Sequence, residues 1–293
     1  MNSFDAAVRA ARSPRSELPP ADHPLGAKIE DEIFPDGSRW PIATAFLRNG
    51  ECPLACVYCG LYRETDVRPA TGEEIARQVR AVRRRFPQAR GIKLYNASSL
   101  FEPASIVQRE LDRVAAELAG LALVVVEARS ENAHRAAVFG ALFDGVLEVA
   151  IGFETADDEL LRRLNKPTST AAFRRAAEQL HAAQISLRAF VLVQPPFVGA
   201  AGAVRLVEEA LIEAEAARAR VVSLLPVLDS HRPLEQLAAA GFFAPPALET
   251  VWSAAERALG RVPVLQVEAE GLDRLPACPS CAPARRAALA NLG

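Results

Sequence analysis

Three cysteines stand at C-x-x-x-C-x-x-C spacing in the octapeptide Cys52-Pro53-Leu54-Ala55-Cys56-Val57-Tyr58-Cys59. Thiolates are the ligands of iron–sulfur clusters, and a [4Fe–4S] cube is usually closed by four of them. A loop that offers three can grip three corners of a cube and leave the last iron open to a small molecule. Other chemistries use the same residues. Buried free cysteines pack as small apolar side chains. A zinc site wants four ligands, with a second C-x-x-C or H-x-x-x-H at a predictable distance. A disulfide plus an odd thiol belongs to an oxidising compartment. The remaining cysteines, Cys278 and Cys281, lie at the far end of the chain, so the spacing favours a cluster. A cluster by itself also serves electron carriers and sensors, and that reading stays open at this point.

The residues around such a loop must be positioned by a scaffold, and the chain has the length for one. Its 293 residues suit one large α/β domain or two small ones, and half of them are apolar. Lys and Arg number 34 against 36 Asp and Glu, a balance that argues against strong nonspecific binding to nucleic acid. No run of ~18 uncharged apolar residues predicts a membrane span. The first fifteen residues lack the apolar run of a secretion signal. The expectation is a cytoplasmic protein without membrane contact, whose thiols stay reduced.

From Pro41 the sequence alternates between short aliphatic runs and amphipathic stretches. Strands are expected at Ile42–Leu47, Gly91–Tyr95, Leu121–Val126, Val146–Ile151, Ser186–Val193 and Val221–Val227. Helices are expected at Thr71–Phe86, from Pro103 to about Leu118, at Ala133–Phe143, Asp157–Leu164, Thr170–Ala183 and over 202–218. Thr71 and Glu74 form a capping box, and Ile75, Val79, Val82 and Phe86 share one face. Val-, Ile- and Leu-rich strands joined by helices imply a parallel sheet covered on both faces. Right-handed crossovers curl such a sheet into a barrel or part of one. The fold class is therefore α/β, a partial (β/α)6 TIM-like barrel of mostly parallel strands. Residues 1–40 form an irregular, partly flexible lead-in, 41–230 the barrel, and 231–293 a small C-terminal extension with helices expected at Leu234–Ala240 and Ala247–Leu259 and a strand at Val262–Val267. Functional residues of such barrels gather at the C-terminal strand ends. The cysteine loop, Asn96–Ser99, Glu127–Glu131, Gly152–Glu154 and Gln194–Pro196 all fall there.

The cysteine spacing, with Tyr58 before its last member, resembles the signature of the radical S-adenosylmethionine (radical SAM) superfamily. Lys93–Pro103, Glu127–Glu131, Glu148–Thr155, Asn165-Lys166 and Val191–Phe197 look like its archaeosine-synthase-like branch, which is related to the radical domain of the Elongator catalytic subunit. The likeness covers about residues 40–230. It implies a [4Fe–4S] cluster on Cys52, Cys56 and Cys59 that binds S-adenosylmethionine at its open iron. Reductive cleavage there yields a 5′-deoxyadenosyl radical, with the electron drawn from an external flavodoxin- or ferredoxin-type donor. It also implies a substrate that is a modified tRNA base, since characterised members cleave a lysine adduct on a deazaguanine. The alternative is the same chemistry on a small metabolite or natural-product precursor.

The resemblance carries site roles as well. Asn96, Ala97, Ser98 and Ser99 take the place of a Gly-rich motif that meets the methionine amino group, although this chain has no glycine there. Glu127 takes the ribose hydroxyls, with Arg129 beside it for a carboxylate. Glu154 is a second ribose acid, Lys166 meets the ligand carboxylate, and the backbone at Gln194 passes the adenine. Tyr58 joins the cofactor set. Relatives carry an acid where this chain has Arg188-Ala189.

Three features remain. Arg77, Arg80, Arg83, Arg84 and Arg85 make the first helix basic, which suits either RNA docking or a solvated face. His23 sits alone in the lead-in and reads as a surface residue. Cys278-Pro279-Ser280-Cys281 supplies half of a tetrahedral metal site, and a second metal there is expected alongside redox-pair, dimer-shared and inert readings.

Overall fold

The computed structural model describes residues 3–34, 36–228 and 231–292. Its elements run α1 (Ser3–Ala10), β1 (Gly26–Ile33), β2 (Arg39–Leu47), α2 (Gly72–Arg85), β3 (Gly91–Asn96), α3 (Leu111–Ala116) and β4 (Leu123–Ala128). They continue with α4 (Ala136–Gly140), β5 (Val146–Glu154), α5 (Asp158–Arg163), α6 (Thr170–Ala182), β6 (Ser186–Val193), α7 (Ala200–Ala216) and β7 (Val221–Pro226). The last are α8 (Arg232–Ala239), α9 (Leu248–Ala258), β8 (Val264–Val267) and α10 (Ala282–Ala290).

All eight strands form one sheet in sequence order, parallel from β2 to β8 and antiparallel only between β1 and β2. It curls into a nearly closed α/β barrel, as the alternation of elements predicts. Two strands join the six of the expected barrel, and one of them, β8, falls at the strand expected over Val262–Val267. β1 rises from the stretch read as an irregular lead-in, and β8 from the C-terminal extension. The sequence signal for β1 was charge at period two: Lys28, Glu30 and Glu32 share one face. Because that face is polar, it does not look like a buried strand.

The physical reason for β1 lies inside the barrel. Lys93 Nζ sits 2.8 Å from both Glu30 Oε1 and Glu32 Oε2. Arg188 donates to Glu32 Oε1 (2.5 Å), Glu148 Oε1 (2.8 Å) and Gln266 Oε1 (2.5 Å). Arg220 reaches Glu32 Oε1 at 2.7 Å and also pairs with Glu148. Glu30, Glu32 and Glu148 thus balance Lys93, Arg188 and Arg220. Charges this deeply buried persist only when paired and hydrogen-bonded. β1 and β8 share no ladder, and this network, with Gln266 Nε2 3.4 Å from Glu32 Oε2, closes the gap between them. Tyr95, Phe190, Val125 and Ala150 fill the remaining interior.

Outside, helices cover the strands through one large apolar core. The capping box of α2 forms as expected: Glu74 N donates to Thr71 Oγ1 (3.2 Å) and Thr71 N to Glu74 Oε2 (2.8 Å). The helix expected from Pro103 shrinks to α3. The chain before it pairs sideways instead, with Gly50 N and Ala70 N both donating to Ser105 O at 2.9 Å and Val107 N donating to Ala70 O at 2.9 Å. Those bonds tie the strip to the flanks of the cysteine loop. Among the described residues no helix is long and apolar enough to cross a membrane.

Candidate active site

The cysteine loop leaves the C-terminal end of β2 and is held from several sides. Asn165 Nδ2 donates to Ala55 O (2.8 Å), and Val57 N donates to Leu164 O (3.0 Å). Ala55 and Val57 bury against Leu160, Leu164 and Val8 of α1. The N-terminal arginines complete the brace. Arg9 and Arg12 reach Glu51 Oε1 at 2.8 and 2.5 Å, and Arg15 pairs with Glu51 Oε2. Arg9 also donates to Pro53 O (2.5 Å) and Arg12 to Leu54 O (3.1 Å). A stretch that reads as flexible from its Pro and Ser content is thereby tied across the residues flanking Cys52.

Cys52, Cys56 and Cys59 form no disulfide and line a cavity of about 220 Å³ in the barrel mouth. The same cavity is lined by Tyr58, Asn96, Ala97, Ser98, Glu127, Arg129, Glu154 and Lys166. These positions are distant in sequence, and the strand ends bring them together. Two expected residues do not reach it. Ser99 is fully buried with its hydroxyl 2.9 Å from Asn132 Oδ1, where it supports the turn after β4. Gln194 turns its amide away, donating from Nε2 to Ala244 O at 2.9 Å. Arg12, Tyr62, Ser130, Glu131 and Thr168 line the cavity as well, and sequence reasoning gave Arg12, Tyr62 and Thr168 no role there.

Backbone conformation concentrates at the same place. Ser98 has φ 147°, Glu154 66° and Asn165 57°, all in the region that favours glycine. The turn after β3 thus takes a glycine-type shape although its sequence has none. At Gly152 a Cβ would stand 2.5 Å from Glu154 Oε1 and 2.7 Å from Lys166 Nζ. Lys166 Nζ donates to Gly152 O (2.7 Å) and pairs with Glu154, so the missing side chain is what lets the pair seat. Gly152→Ala is therefore expected to displace Lys166 and, if the cavity takes the S-adenosylmethionine that the resemblance implies, to weaken its binding at least about tenfold, or ~1.4 kcal/mol, measurable by calorimetry on reconstituted protein.

Charges in the mouth are shifted by their surroundings. Burial pushes the Cys56 thiol up, against the pull of the Lys166 ammonium. Burial and the Glu154 carboxylate raise the Tyr58 phenol. For Lys166, burial acts downward, but Glu154 and Cys56 outweigh it and the net shift is upward. Burial lifts Glu127 to about 8 even though it accepts the Asn96 N–H. The folded carboxyl holds its proton more tightly than the unfolded one, so stability falls as pH rises from the ordinary carboxyl range through about 8. In the apoprotein, Glu127→Gln should flatten that slope, which urea titrations across the range would read.

The donor set suits a cluster with an amino-acid ligand. Both amide atoms of Asn96, Ser98 Oγ, Arg129 Nε and Thr168 Oγ1 are buried without a hydrogen-bond partner among the described residues. Buried polar atoms left unpaired beside a cavity call for a ligand. Among the described residues no three His, Cys, Asp or Glu converge as ligands of a single ion, so mononuclear zinc finds no ligand set. A cube does not ask for that convergence, because each thiolate binds its own iron.

Comparison with known proteins agrees with this geometry. The sequence model of the Radical SAM superfamily matches residues 49–197, half of the chain, from the cysteine loop to the end of β6 and just beyond. The chain belongs to the radical SAM superfamily. Its similarity runs to the branch that its motifs resemble. Archaeosine synthase subunit beta from Thermococcus kodakarensis is 27% identical over 171 residues, covering 55% of this chain and 53% of that protein. The chain thus spans about half the length of this curated relative. Among solved structures, Methanocaldococcus infernus Elp3 superposes with a TM-score of 0.52 at 13% identity, over 66% of this chain and 52% of that one. Methylornithine synthase (PylB) superposes with a TM-score of 0.54 at 17% identity, over 83% and 67%. At such identities the two structures speak to the fold alone.

Proposed function

We propose that this member of the radical SAM superfamily is an enzyme that carries a [4Fe–4S] cluster on Cys52, Cys56 and Cys59 and cleaves S-adenosylmethionine reductively, with a modified tRNA base as the substrate. The observation that carries the reading is one cavity in which three thiols meet orphaned polar atoms from the ends of β3 and β4 and from the loop between α5 and α6. When bound, the cluster and S-adenosylmethionine supply a 5′-deoxyadenosyl radical that abstracts hydrogen, given an electron from a flavodoxin- or ferredoxin-type donor in a reducing cytoplasm.

The chain's own residues bind, orient and exclude water. The cysteine loop supplies the thiol groups, and the Lys166 ammonium pulls Cys56 toward its ionised form against the stronger push of burial. Asn96 Oδ1 and Ser98 Oγ accept from an ammonium group, and Asn96 Nδ2 donates to a carboxylate. Arg129 is turned to Glu102 through Nη2 and leaves Nε for the ligand. Glu127 accepts ribose hydroxyls once deprotonated, and Glu154 is held beside it by Lys166. Tyr62, under the Arg12 guanidinium at 4.3 Å, walls off solvent on the α1 side.

The tRNA substrate rests on similarity to archaeosine synthase subunit beta and on the branch motifs. The second reading, a small metabolite, gains from the arginine row of α2. Arg77 pairs with Glu73, Arg80 with Glu117, and Arg83 donates to the carbonyls of Glu117 and Ala119. Arg80 and Arg83 tie α2 to the segment after α3 and Arg77 pairs within its own helix, so these three do not stand free for phosphates. The deciding experiment incubates reconstituted protein with dithionite, S-adenosylmethionine and bulk tRNA. Reductant-dependent 5′-deoxyadenosine and a changed nucleoside in digested tRNA support the proposal. Intact S-adenosylmethionine on a fully loaded cluster overturns it in favour of an electron carrier.

A further inference from the structure

The turn leading into α10 holds chemistry that the barrel does not use. Cys278 and Cys281 are both exposed and lie outside the cavity. Cys281 N and Ala282 N donate to Cys278 O at 3.2 and 3.0 Å, so Cys278-Pro279-Ser280-Cys281 closes one helical-type turn. Residues three apart on such a turn are neighbours on one face. Ser280 Oγ lies 3.1 Å from Cys278 Sγ and 3.8 Å from Cys281 Sγ, so both sulfurs gather about one hydroxyl.

The turn is seated on a firm base. Ala282 and Leu289 enter the main core, and Arg285 pairs with Glu249 of α9. Arg286 donates to Leu272 O at 3.0 Å and Asp273 O at 3.1 Å. A metal ion would find only two thiolates here, because no third His, Cys, Asp or Glu joins them among the described residues. A dithiol needs no third group.

We infer that Cys278 and Cys281 form a reversible dithiol–disulfide pair, oxidised by exchange with a low-molecular-weight disulfide. Cys278 is the attacking sulfur. The Ser280 hydroxyl and the backbone N–H groups of Ser280 and Cys281 hold its thiol at about 7, so much of it is thiolate at neutral pH. Its thiolate attacks one sulfur of the oxidant, a mixed disulfide forms, and one thiolate of the oxidant leaves. Cys281 gives its proton to solvent, attacks the Cys278 sulfur and expels the second thiolate. Two protein thiols become one disulfide, and the oxidant becomes two thiols. An excess of small thiol reverses both steps.

The test equilibrates the full-length protein in glutathione buffers of graded reduced-to-oxidised ratio, quenches in acid, alkylates and digests with trypsin. Cleavage after Arg274 and Arg285 isolates both cysteines, and no others, in one peptide. That peptide should lose two hydrogens in a single two-electron transition. Cys281→Ser should trap one glutathione on Cys278, whereas Cys278→Ser should trap several-fold less on Cys281. A peptide that stays reduced at every ratio overturns the inference. So does metal bound at one equivalent per chain, or per pair of chains, that blocks alkylation of both thiols. The readout involves no S-adenosylmethionine, so it stands or falls apart from the barrel's chemistry.

Discussion

Cys56→Ala is expected to strip the reconstituted protein of its visible cluster absorbance and to bring reductant-dependent 5′-deoxyadenosine formation down to the level without enzyme. Three thiolates are the fewest that hold a cube with one open iron, and two hold it by a single edge. Losing a mere supporting partner costs a metal site ~10–100-fold, so losing a direct ligand should exceed that. The fold should survive, because a buried thiol is a small apolar group and alanine fills most of its space. Circular dichroism and the urea midpoint would report this. Serine at Cys278 and Cys281 should leave the cluster untouched. A Cys56→Ala protein that still releases 5′-deoxyadenosine would overturn the assignment of the loop.

Arg188→Ala carries the largest expected loss of stability. Its guanidinium is almost completely buried and answers Glu32, Glu148 and Gln266 at once. Removing one member of a buried charged set leaves the others uncompensated and costs ~3–5 kcal/mol. Domains hold only ~5–15 kcal/mol in total, so the variant should be on the edge of unfolding at growth temperature. Combining Arg188→Met with Glu148→Gln removes one buried charge of each sign, leaves Glu30 and Glu32 against Lys93 and Arg220, and should recover much of that loss, since a buried ion pair often exchanges for neutral groups at little cost. Urea denaturation distinguishes the two variants. A loss under about 1 kcal/mol for Arg188→Ala would mean that water reaches the network.

The same network sets an acid limit. Burial alone would raise Glu30 and Glu32. Lys93, with Lys28 for Glu30 and Arg188 and Arg220 for Glu32, outweighs burial and holds both at about 2. Carboxylates depressed in the folded state stabilise it above their unfolded pKa, and that contribution is lost as pH falls from the ordinary carboxyl range through about 2. Unfolding on acidification should therefore be steep over that interval.

Local chemistry could be read along the chain because its physics is local. Cys52, Cys56 and Cys59 declare a cluster loop by spacing, Thr71 and Glu74 announce a helix start, and Val-rich runs between amphipathic stretches foretell parallel strands. From those alone, the barrel and the strand-end clustering of Asn96, Glu127 and Glu154 follow, whereas Lys166, across α5 from Glu154, is placed in the site by the family resemblance. What lay beyond that reading involves partners far apart in sequence. Glu32 is 156 residues from Arg188, and no local periodicity links them. Arg9, Arg12 and Arg15 look like loose surface charge until folding sets Glu51 among them. Ser99 sits in the right peptide, yet its side chain turns to Asn132, while Gln194, expected to act through its backbone, gives its side-chain amide to Ala244. Which way a side chain faces at a strand end is decided by the neighbours that three-dimensional packing delivers.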